Sequence, residues 1–329
     1  MKELVKAGCE LLAENRDVIR RNFKWDYDMM SVAASVVHTG AGKEANIDRL
    51  MECRKLLKKR EGVFSTFRGS MELLVISKMA ISEDPEGYLT ELISVYDMLC
   101  KGKVFGGSEY IAMTALAICD EHRRAGMDNI VEKTKQLMKK MGSKHPFLTS
   151  EEDMAFAALL AMTDKSVDQI LEEMEYCFEV MKKRFPFHAN SVQALSQVMA
   201  LCEGSPESKC EKVCAIYDAF LGRGMKYGLE YELASLGALV NIPLSPAEIA
   251  DDILEASEYL KHRKGFGDWS MGKKTRTMFA ALIEAQAFAP SSEAMDSTVL
   301  GSSLAIVIAE EIAVMITIVM ISSSASSSD

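Results

Sequence analysis

The chain has 329 residues, of which 48% are hydrophobic, and a formal net charge of −10 at pH 7. This length exceeds that of a usual single core, so we expect either two domains or one elongated array. The acidic balance argues against nonspecific binding of nucleic acid, and the low content of Gly and Pro (20 and 7 residues) favours helices over strands.

The first predicted element is a helix within residues 1–22, which we interpret as a leading cap helix. Its sequence begins MKELVKAGCELLAENRD and is amphipathic and charged throughout, unlike a signal peptide. The eight cysteines of the chain are scattered, and most lie on predicted apolar helix faces. This pattern is typical of reduced thiols, so we predict a cytoplasmic protein.

An internal repeat of roughly 40 residues follows that helix. One marker is the aromatic residue before each apolar run, and a second marker lies near the middle of the run. Successive aromatic markers are 38 to 42 residues apart, and successive mid-run markers are 38 to 43 residues apart. The aromatic markers are Trp25, Phe67, Phe105, Phe147, Phe187, Tyr227 and Phe266, and the mid-run markers are Ser35, Ser77, Ala115, Ala158, Gln197, Ala238 and Ala281. A constant period of this length indicates stacked supersecondary units.

Each repeat contains two predicted helices of different character. The first is apolar nearly all round, as in AFAALLAM at 155–162, and must therefore be buried on every side. The second has apolar residues on one face only, such as Ile170, Met174, Cys177 and Met181. We therefore predict an all-α fold over residues 1–289, an array of about seven helical hairpins. The array is either an open solenoid or a closed α/α toroid, and both remain open at this point.

Residues 23–70, from NFKWDYDMM to KREGVFSTFRGS, resemble an uncharacterised bacterial family, domain of unknown function 4003. The resemblance continues through FGGSEY at 105–110 to about residue 287. It implies a bacterial, Gram-positive, cytosolic protein. The family brings no established activity, substrate or catalytic residue that could be assigned to positions of this chain.

Basic residues gather at the end of each second helix, next to the aromatic marker. Because the repeat places these ends together, we predict one rim rich in cations, beside aromatic residues and helix N-termini. Two interpretations compete. In the first, the role is structural: the cations stabilise helix C-termini and the aromatic residues fill gaps between units. In the second, the rim binds an anion or an acidic partner. The binding residues that we select are Arg68, Lys58, Lys59, Lys182, Lys183, Trp269, Lys273, Lys274 and Arg276.

No motif in the chain predicts catalysis. The five histidines form no HExxH or other ligand spacing, and the chain has no P-loop and no nucleophile elbow. Cys210 and Cys214 share one helix face, a spacing that is more common for core thiols than for zinc ligands. We therefore predict no metal site and no cofactor, and no residue is selected as catalytic.

The C-terminal region, 290–329, departs from the repeat. Its residues 304–321, LAIVIAEEIAVMITIVMI, are apolar, and its Ser-rich end is typical of disorder. The apolar run after Glu310 and Glu311 is too short to cross a bilayer as a helix. We expect 304–321 to dock along the array or to join two protomers, with strand pairing as a further alternative.

The sequence leaves three functions open. The preferred one is an interaction or ligand-binding scaffold that uses its concave face or the basic and aromatic rim to hold a protein or an acidic ligand. The second is an α/α-toroid enzyme, with a cavity at the N-termini of the inner helices. The third is attachment to a membrane surface through 304–321. We do not expect nucleic acid or a membrane to be the partner, and an enzyme is the less favoured class.

Overall fold

The computed structural model describes residues 1–24, 28–63, 65–101, 108–120, 126–288 and 312–314. Within these residues the fold is all-helical, without a strand, which confirms the all-α part of the prediction. The helices are α1 (Glu3–Asn22), α2 (Asp28–Gly40), α3 (Ile47–Arg60), α4 (Glu72–Ile81), α5 (Pro85–Cys100), α6 (Glu109–Asp120), α7 (Met127–Lys144), α8 (Met154–Ala161), α9 (Val167–Arg184), α10 (Ala189–Leu201), α11 (Pro206–Gly222), α12 (Ser235–Ala238), α13 (Pro246–Lys261) and α14 (Lys273–Ala287).

Local sequence signals fix where several of these helices begin. The hydroxyls of Ser166 and Ser245 accept hydrogen bonds from backbone N–H groups in the first turns of α9 and α13, while the side chains of Gln169 and Glu248 bond back to the serine N–H groups. These reciprocal capping boxes satisfy donors that have no partner within the helix. Pro206 occupies the first position of α11, where a missing N–H has no consequence.

The described helices fall into two classes by burial. The buried helices, α2, α4, α6, α8, α10, α12 and α14, are covered on nearly every side. The half-exposed helices, α1, α3, α5, α7, α9, α11 and α13, bury one stripe. In α9 that stripe includes Ile170, Met174, Cys177 and Met181, as the sequence pattern predicts. The difference follows from composition, because a helix without a polar face is stable only when it is surrounded by other helices.

Each half-exposed helix packs against the buried helix that follows it, from α1 on α2 to α13 on α14. The half-exposed helices also contact one another in chain order, from α3 and α5 to α11 and α13. Helix α1 contacts α3 on one side and both α13 and α14 on the other. The first and last helical pairs of the described chain therefore pack together.

Polar contacts join the two ends of the helical region as well. The Tyr259 hydroxyl donates a hydrogen bond to Glu10 at 3.1 Å, and Lys2 forms an ion pair with Asp252. Gly8 lies so close to Ile283 that a β-carbon at this position would meet its side chain. Helix α1 is thus held against α13 and α14 by apolar packing and by charged contacts. We name the boundary between α1 and the α13–α14 pair the seam.

Lysine side chains donate hydrogen bonds to backbone carbonyls of the neighbouring helical pair, at or beyond the end of its buried helix. Lys43 donates to the Ile81 carbonyl at 2.7 Å, Lys165 to the Ala200 carbonyl at 2.8 Å, and Lys212 to the Leu244 carbonyl at 2.5 Å. The last carbonyls of a helix have no partner within it, and cations near that end are also favoured by the helix dipole. The bonds to Ile81 and Ala200 therefore stabilise helix ends, and all three bonds stabilise the stacking.

Some sequence predictions fall on residues outside the described ones. Trp25, Phe105 and the domain boundary at 289–290 are among them, as is most of the C-terminal region 290–329. Residues 312–314 of that region are helical, and the side chains of Ile312, Ala313 and Val314 are buried in the main apolar core. Within the described residues, no helix combines the length and apolarity that crossing a membrane requires.

Candidate ligand-binding groove

The connections that lead from a half-exposed helix to the next buried helix lie beside one another. We name these connections, with the adjoining helix ends, the rim. Ser108 donates a hydrogen bond to Glu151 at 2.5 Å, and Tyr110 donates one to Glu152 at 3.1 Å. His188 lies 3.3 Å from Glu230, again on the following connection. The carboxylates at the starts of the buried helices thus bind groups from neighbouring pairs.

Part of the basic content of the rim stabilises contacts between helices. Lys140 forms an ion pair with Asp168 at 2.6 Å, and Lys144 lies 3.6 Å from Glu175. The pairs Arg184–Asp218 and Arg223–Asp251 join successive half-exposed helices in the same way. These cations therefore have a structural role, although exposed pairs of this kind each contribute at most about 1 kcal/mol.

The sequence-selected lysines are solvent-exposed, and they lie on different helical pairs. Lys58 and Lys59 end α3, Lys182 and Lys183 lie in the last turn of α9, and Lys273 and Lys274 begin α14. The ammonium group of Lys182 lies 5.1 Å from the ring centre of Phe178. The structure does not bring these lysines into one pocket.

Arg68, Trp269 and Arg276 have three different environments. Arg68 is half-buried and donates to the Glu61 carbonyl at 3.1 Å. The side chain of Trp269 is fully exposed. Arg276 is buried; it donates to the carbonyls of Ser257 and Phe266, both at 3.0 Å, and to Asp268 at 2.8 Å. Its guanidinium lowers the pKa of the Asp268 carboxyl. These bonds fix the α13–α14 connection to α13.

A concave surface of the rim lies at the seam, between the end of α1 and the α13–α14 connection. It consists of two adjoining depressions with volumes of about 530 and 520 Å³ that share Asp17, Arg21 and Lys264. We name it the seam groove. The first depression is lined by Glu10, Ala13, Glu14, Asp17, Val18, Arg21, Arg263 and Lys264, and the second by Arg16, Asp17, Arg20, Arg21, Lys24, Asp28 and Lys264.

Arg16 forms the floor of the second depression. It is 4% exposed, and its guanidinium contacts Asp28 at 2.5 Å and Asp17 at 3.2 Å. Its Nε is buried without a hydrogen-bond partner among the described residues. The guanidinium packs over Gly265, which has a φ of +87° and leaves no room for a β-carbon. A glycine is needed here both for its positive φ and for the space that it leaves.

The cations of the seam groove differ in how far their charge is neutralised. Asp28 pairs with both Arg16 and Arg20, and Asp17 pairs with Arg16 and Arg21. Arg263 lies 4.4 Å from the ring of Tyr259 and bonds to its hydroxyl, not to a carboxylate. Lys264 has no ion pair within the described part of the chain. The groove therefore keeps an excess of positive charge in an otherwise acidic protein.

Sequence reasoning alone does not select the cations at the end of α1. Arg20 and Arg21 close a half-exposed helix, as the selected lysines do, and Lys24 follows them. The basic cluster at the end of α1 is visible in the sequence. It is not selected because α1 is interpreted as a cap helix outside the repeat, so its end is not compared with the ends of the second helices. Arg263 and Lys264 belong to the basic cluster predicted at the end of α13, whereas their proximity to α1 cannot be inferred without knowing whether the array closes.

Several polar side chains on the buried helices bond to buried or half-buried carboxylates. Lys78 pairs with Asp120, whereas Gln193 and Gln197 both donate to Asp153, at 2.9 and 2.6 Å. Burial raises the pKa of Asp153 above its ordinary value, and hydrogen bonds from the Ser150 N–H and the two glutamines partly oppose that change. Each of these polar groups is therefore already ion-paired or hydrogen-bonded to another side chain.

Glu284 on α14 is a different case, because both of its carboxyl oxygens are buried without a hydrogen-bond partner among the described residues. Burial and the nearby Asp252 raise its pKa to about 8, and Lys2 and the N-terminal amine oppose that change. It lies beneath the seam, close to Cys9. Glu284 therefore carries a proton at neutral pH, which removes the cost of an isolated buried charge.

The described residues contain no group of three or more His, Cys, Asp or Glu side chains placed to hold a metal ion. All eight cysteines are free thiols, and six of them are buried. Comparison of the sequence with family models gives one match, described as a protein of unknown function (DUF4003), over residues 15–319. No curated protein and no solved structure matches the chain.

Proposed function

The chain belongs to the DUF4003 family of proteins of unknown function, and we propose that it is a binding protein that holds a small acidic ligand in the seam groove. The observation that carries the proposal is the concentration of Arg20, Arg21, Lys24, Arg263 and Lys264 around one concave surface. The volume of each depression is in the range of small-molecule sites.

The architecture in this proposal is a ring of seven helical hairpins. Each hairpin is one half-exposed helix with the buried helix that follows, so α1 and α2 form the first hairpin and α13 and α14 the last. The contacts of α1 with α13 and α14 support a closed toroid over an open solenoid. In this arrangement α1 is an integral member of the outer layer, and the groove exists only because the ends meet.

The chemistry of the groove favours phosphate or carboxylate groups. Arginine presents a planar fork of donors that fits two oxygens of such a group at once, and lysine adds charge without that geometric demand. Arg21 and Lys264 line both depressions, one from each side of the seam, so a ligand with two anionic groups would bridge them. Asp17 and Glu14 in the wall would disfavour a ligand that fills the groove with negative charge.

An enzyme of the α/α-toroid class has less support. Such an enzyme needs acid–base groups that face an open cavity. The carboxylates at the starts of α6 and α8 are instead bonded to neighbouring side chains, and Asp153 is held by two glutamines. In the seam groove, Asp17 and Asp28 are paired with arginines.

The experiment that tests the proposal is calorimetric titration of the full chain with inorganic pyrophosphate and, separately, with citrate. We expect saturable binding of at least one probe, with an affinity that falls as salt is added. Substitution of both Arg21→Gln and Lys264→Gln should weaken that binding at least tenfold, or about 1.4 kcal/mol.

A matched control changes the same net charge elsewhere. Lys55→Gln with Lys139→Gln removes two exposed cations from other half-exposed helices, and binding should stay within twofold of the unsubstituted protein. If neither probe binds, or if both double variants lose affinity equally, the groove is not the site.

A further inference from the structure

The exposed large apolar side chains of the described chain are concentrated on the rim. Phe147, Phe187 and Trp269 are 97%, 92% and 104% exposed, each in a connection that leads to a buried helix. Val63 lies in another connection of this kind and is also exposed. Leu4 and Tyr176 are exposed apolar side chains placed elsewhere, at the start of α1 and within α9. We name Phe147, Phe187 and Trp269 the aromatic tips.

The positions of Phe147 and Phe187 follow from a repeated local sequence. Each follows a proline, in His145-Pro146-Phe147 and in Phe185-Pro186-Phe187. The residue before the proline packs inward, with the His145 ring 4.8 Å from Phe178 and the Phe185 ring 5.1 Å from Tyr217. The gap between neighbouring helices is therefore already filled, and the second aromatic has no structural role in it.

Three other aromatic markers of the repeat are buried, unlike Phe147 and Phe187. Phe67, Tyr227 and Phe266 occupy the corresponding connections and are buried. They do fill gaps between helices, as the structural interpretation of these markers requires. An aromatic side chain that is nearly fully exposed gains none of the free energy of burial. Its presence on successive connections at the same end of the fold points to a surface that is covered by something else.

Exposed lysines lie close in sequence to two of the aromatic tips. Lys182 and Lys183 lie just before Phe187, Lys273 and Lys274 follow Trp269, and all four are exposed. The nearby carboxylates are engaged: Asp268 bonds to Arg276, Glu230 lies against His188, and Glu152 bonds to Tyr110. Phe187 and Trp269 therefore have exposed lysines beside them, although the whole chain is acidic. Such charges act locally, because salt screens the more distant carboxylates beyond about 10 Å.

We infer that the rim is a docking surface for an anionic lipid bilayer, with the aromatic tips inserted at the headgroup level. Aromatic rings are favoured at the membrane interface, and lysines near it are attracted to anionic lipids. The connections that carry Phe147 and Phe187 contact the neighbouring helical pairs, and these contacts hold both tips at one end of the helical layers, so they can reach one flat surface together. The tips project from loops and do not line a groove, which fits a planar partner better than a peptide.

This docking surface is separate from the C-terminal segment 304–321, through which the sequence pattern alone would attach the chain to a membrane. It also uses side chains other than those that line the seam groove, although Trp269 lies in the same α13–α14 connection as Arg263 and Lys264. A soluble anion tests the groove and a vesicle tests the rim, so either proposal can fail while the other stands.

The test is sedimentation of the full chain with vesicles of phosphatidylcholine, either alone or mixed with phosphatidylglycerol. We expect binding to the mixed vesicles and at least tenfold weaker binding to phosphatidylcholine alone. Phe147→Ser with Phe187→Ser should reduce partitioning to mixed vesicles at least tenfold while leaving the helical circular dichroism spectrum unchanged. Leu4→Ser with Tyr176→Ser removes two exposed apolar side chains elsewhere, and this control should bind like the unsubstituted protein.

Trp269 gives a second, direct readout. Its fluorescence emission should shift to shorter wavelength when mixed vesicles are added, and the shift should be absent from Trp269→Phe. Three results would each overturn the inference: no binding to mixed vesicles, unchanged binding after substitution of Phe147 and Phe187, or a wavelength shift that persists in Trp269→Phe.

Discussion

The guanidinium group of Arg16, on the first helix, occupies the space in which the side chain of residue 265 would begin. Gly265 lies in the connection between the last two helices, and its φ of +87° is in the left-handed region. Since Arg16 also forms the floor of the seam groove, this single contact joins the closure of the chain to the proposed binding surface.

Gly265→Ala should destabilise the protein and weaken probe binding together. The new methyl group must displace Arg16, and the positive φ adds strain of about 1 kcal/mol. We expect the free energy of unfolding to fall by roughly 2 to 4 kcal/mol in chemical denaturation. Gly224→Ala is the matched control, because Gly224 has a φ of +70° and open space around it. An equal loss in both variants would show that Arg16 is not involved.

Arg276→Met should act on stability alone. The substitution leaves the carbonyls of Ser257 and Phe266 and the Asp268 carboxylate without their donor, which should lower the free energy of unfolding by roughly 2 to 4 kcal/mol. Lys274→Met, at an exposed position on the same helix, should stay within about 0.5 kcal/mol. A folded, fully stable Arg276→Met variant that has lost ligand binding would instead place Arg276 in the binding surface, as the sequence pattern suggests.

The raised pKa of Glu284 predicts that the stability of the protein depends on pH. Its pKa is about 8 in the folded protein and near the ordinary 4.5 when unfolded, so the folded state binds more protons between these values. Its contribution is therefore complete below about pH 4.5 and is lost as pH rises towards 8 and above, with a slope of at most about 1.4 kcal/mol per pH unit.

The measurement is the difference in unfolding free energy between the unsubstituted protein and Glu284→Gln at several pH values. The difference isolates Glu284 from His38, whose pKa is lowered to about 4 by burial and which contributes the opposite slope below pH 6.5. Glu284→Gln should gain relative stability as pH rises from 5 to 8. A constant difference over this range would mean that the carboxyl is solvated in solution.

Neutral substitutions at Lys58, Lys59, Lys182 and Lys183 separate the rim from the seam groove. These residues lie on α3 and α9, which do not line the groove, so the fourfold Gln variant should bind pyrophosphate normally and mixed vesicles less tightly. Removing cations from two helix C-termini should reduce stability by no more than about 1 kcal/mol per helix. Normal vesicle binding by this variant would leave the lysines with a role at the helix ends only.

Much of the helical structure could be predicted from the sequence, because the spacing of apolar residues along a helix determines which of its faces are buried. The stripe of α9 and the apolar surround of α8 follow directly from residue spacing. The groove could not be predicted, since it depends on contact between residues 16 and 265, and no local pattern reports such a distant contact. The exposure of Phe147 and Phe187 could not be predicted either. They occupy the same position in the repeat as Phe67 and Tyr227, which are buried.

Hydrogen exchange followed by mass spectrometry, with and without pyrophosphate, tests the central claim most directly. The claim is that the two ends of the helical region meet and hold an acidic ligand between them. Pyrophosphate should slow exchange in peptides covering residues 16–24 and, at the same time, in peptides covering 262–266, while α5 and α9 remain unchanged. Protection confined to one side of the seam, or absent from both, would contradict the account.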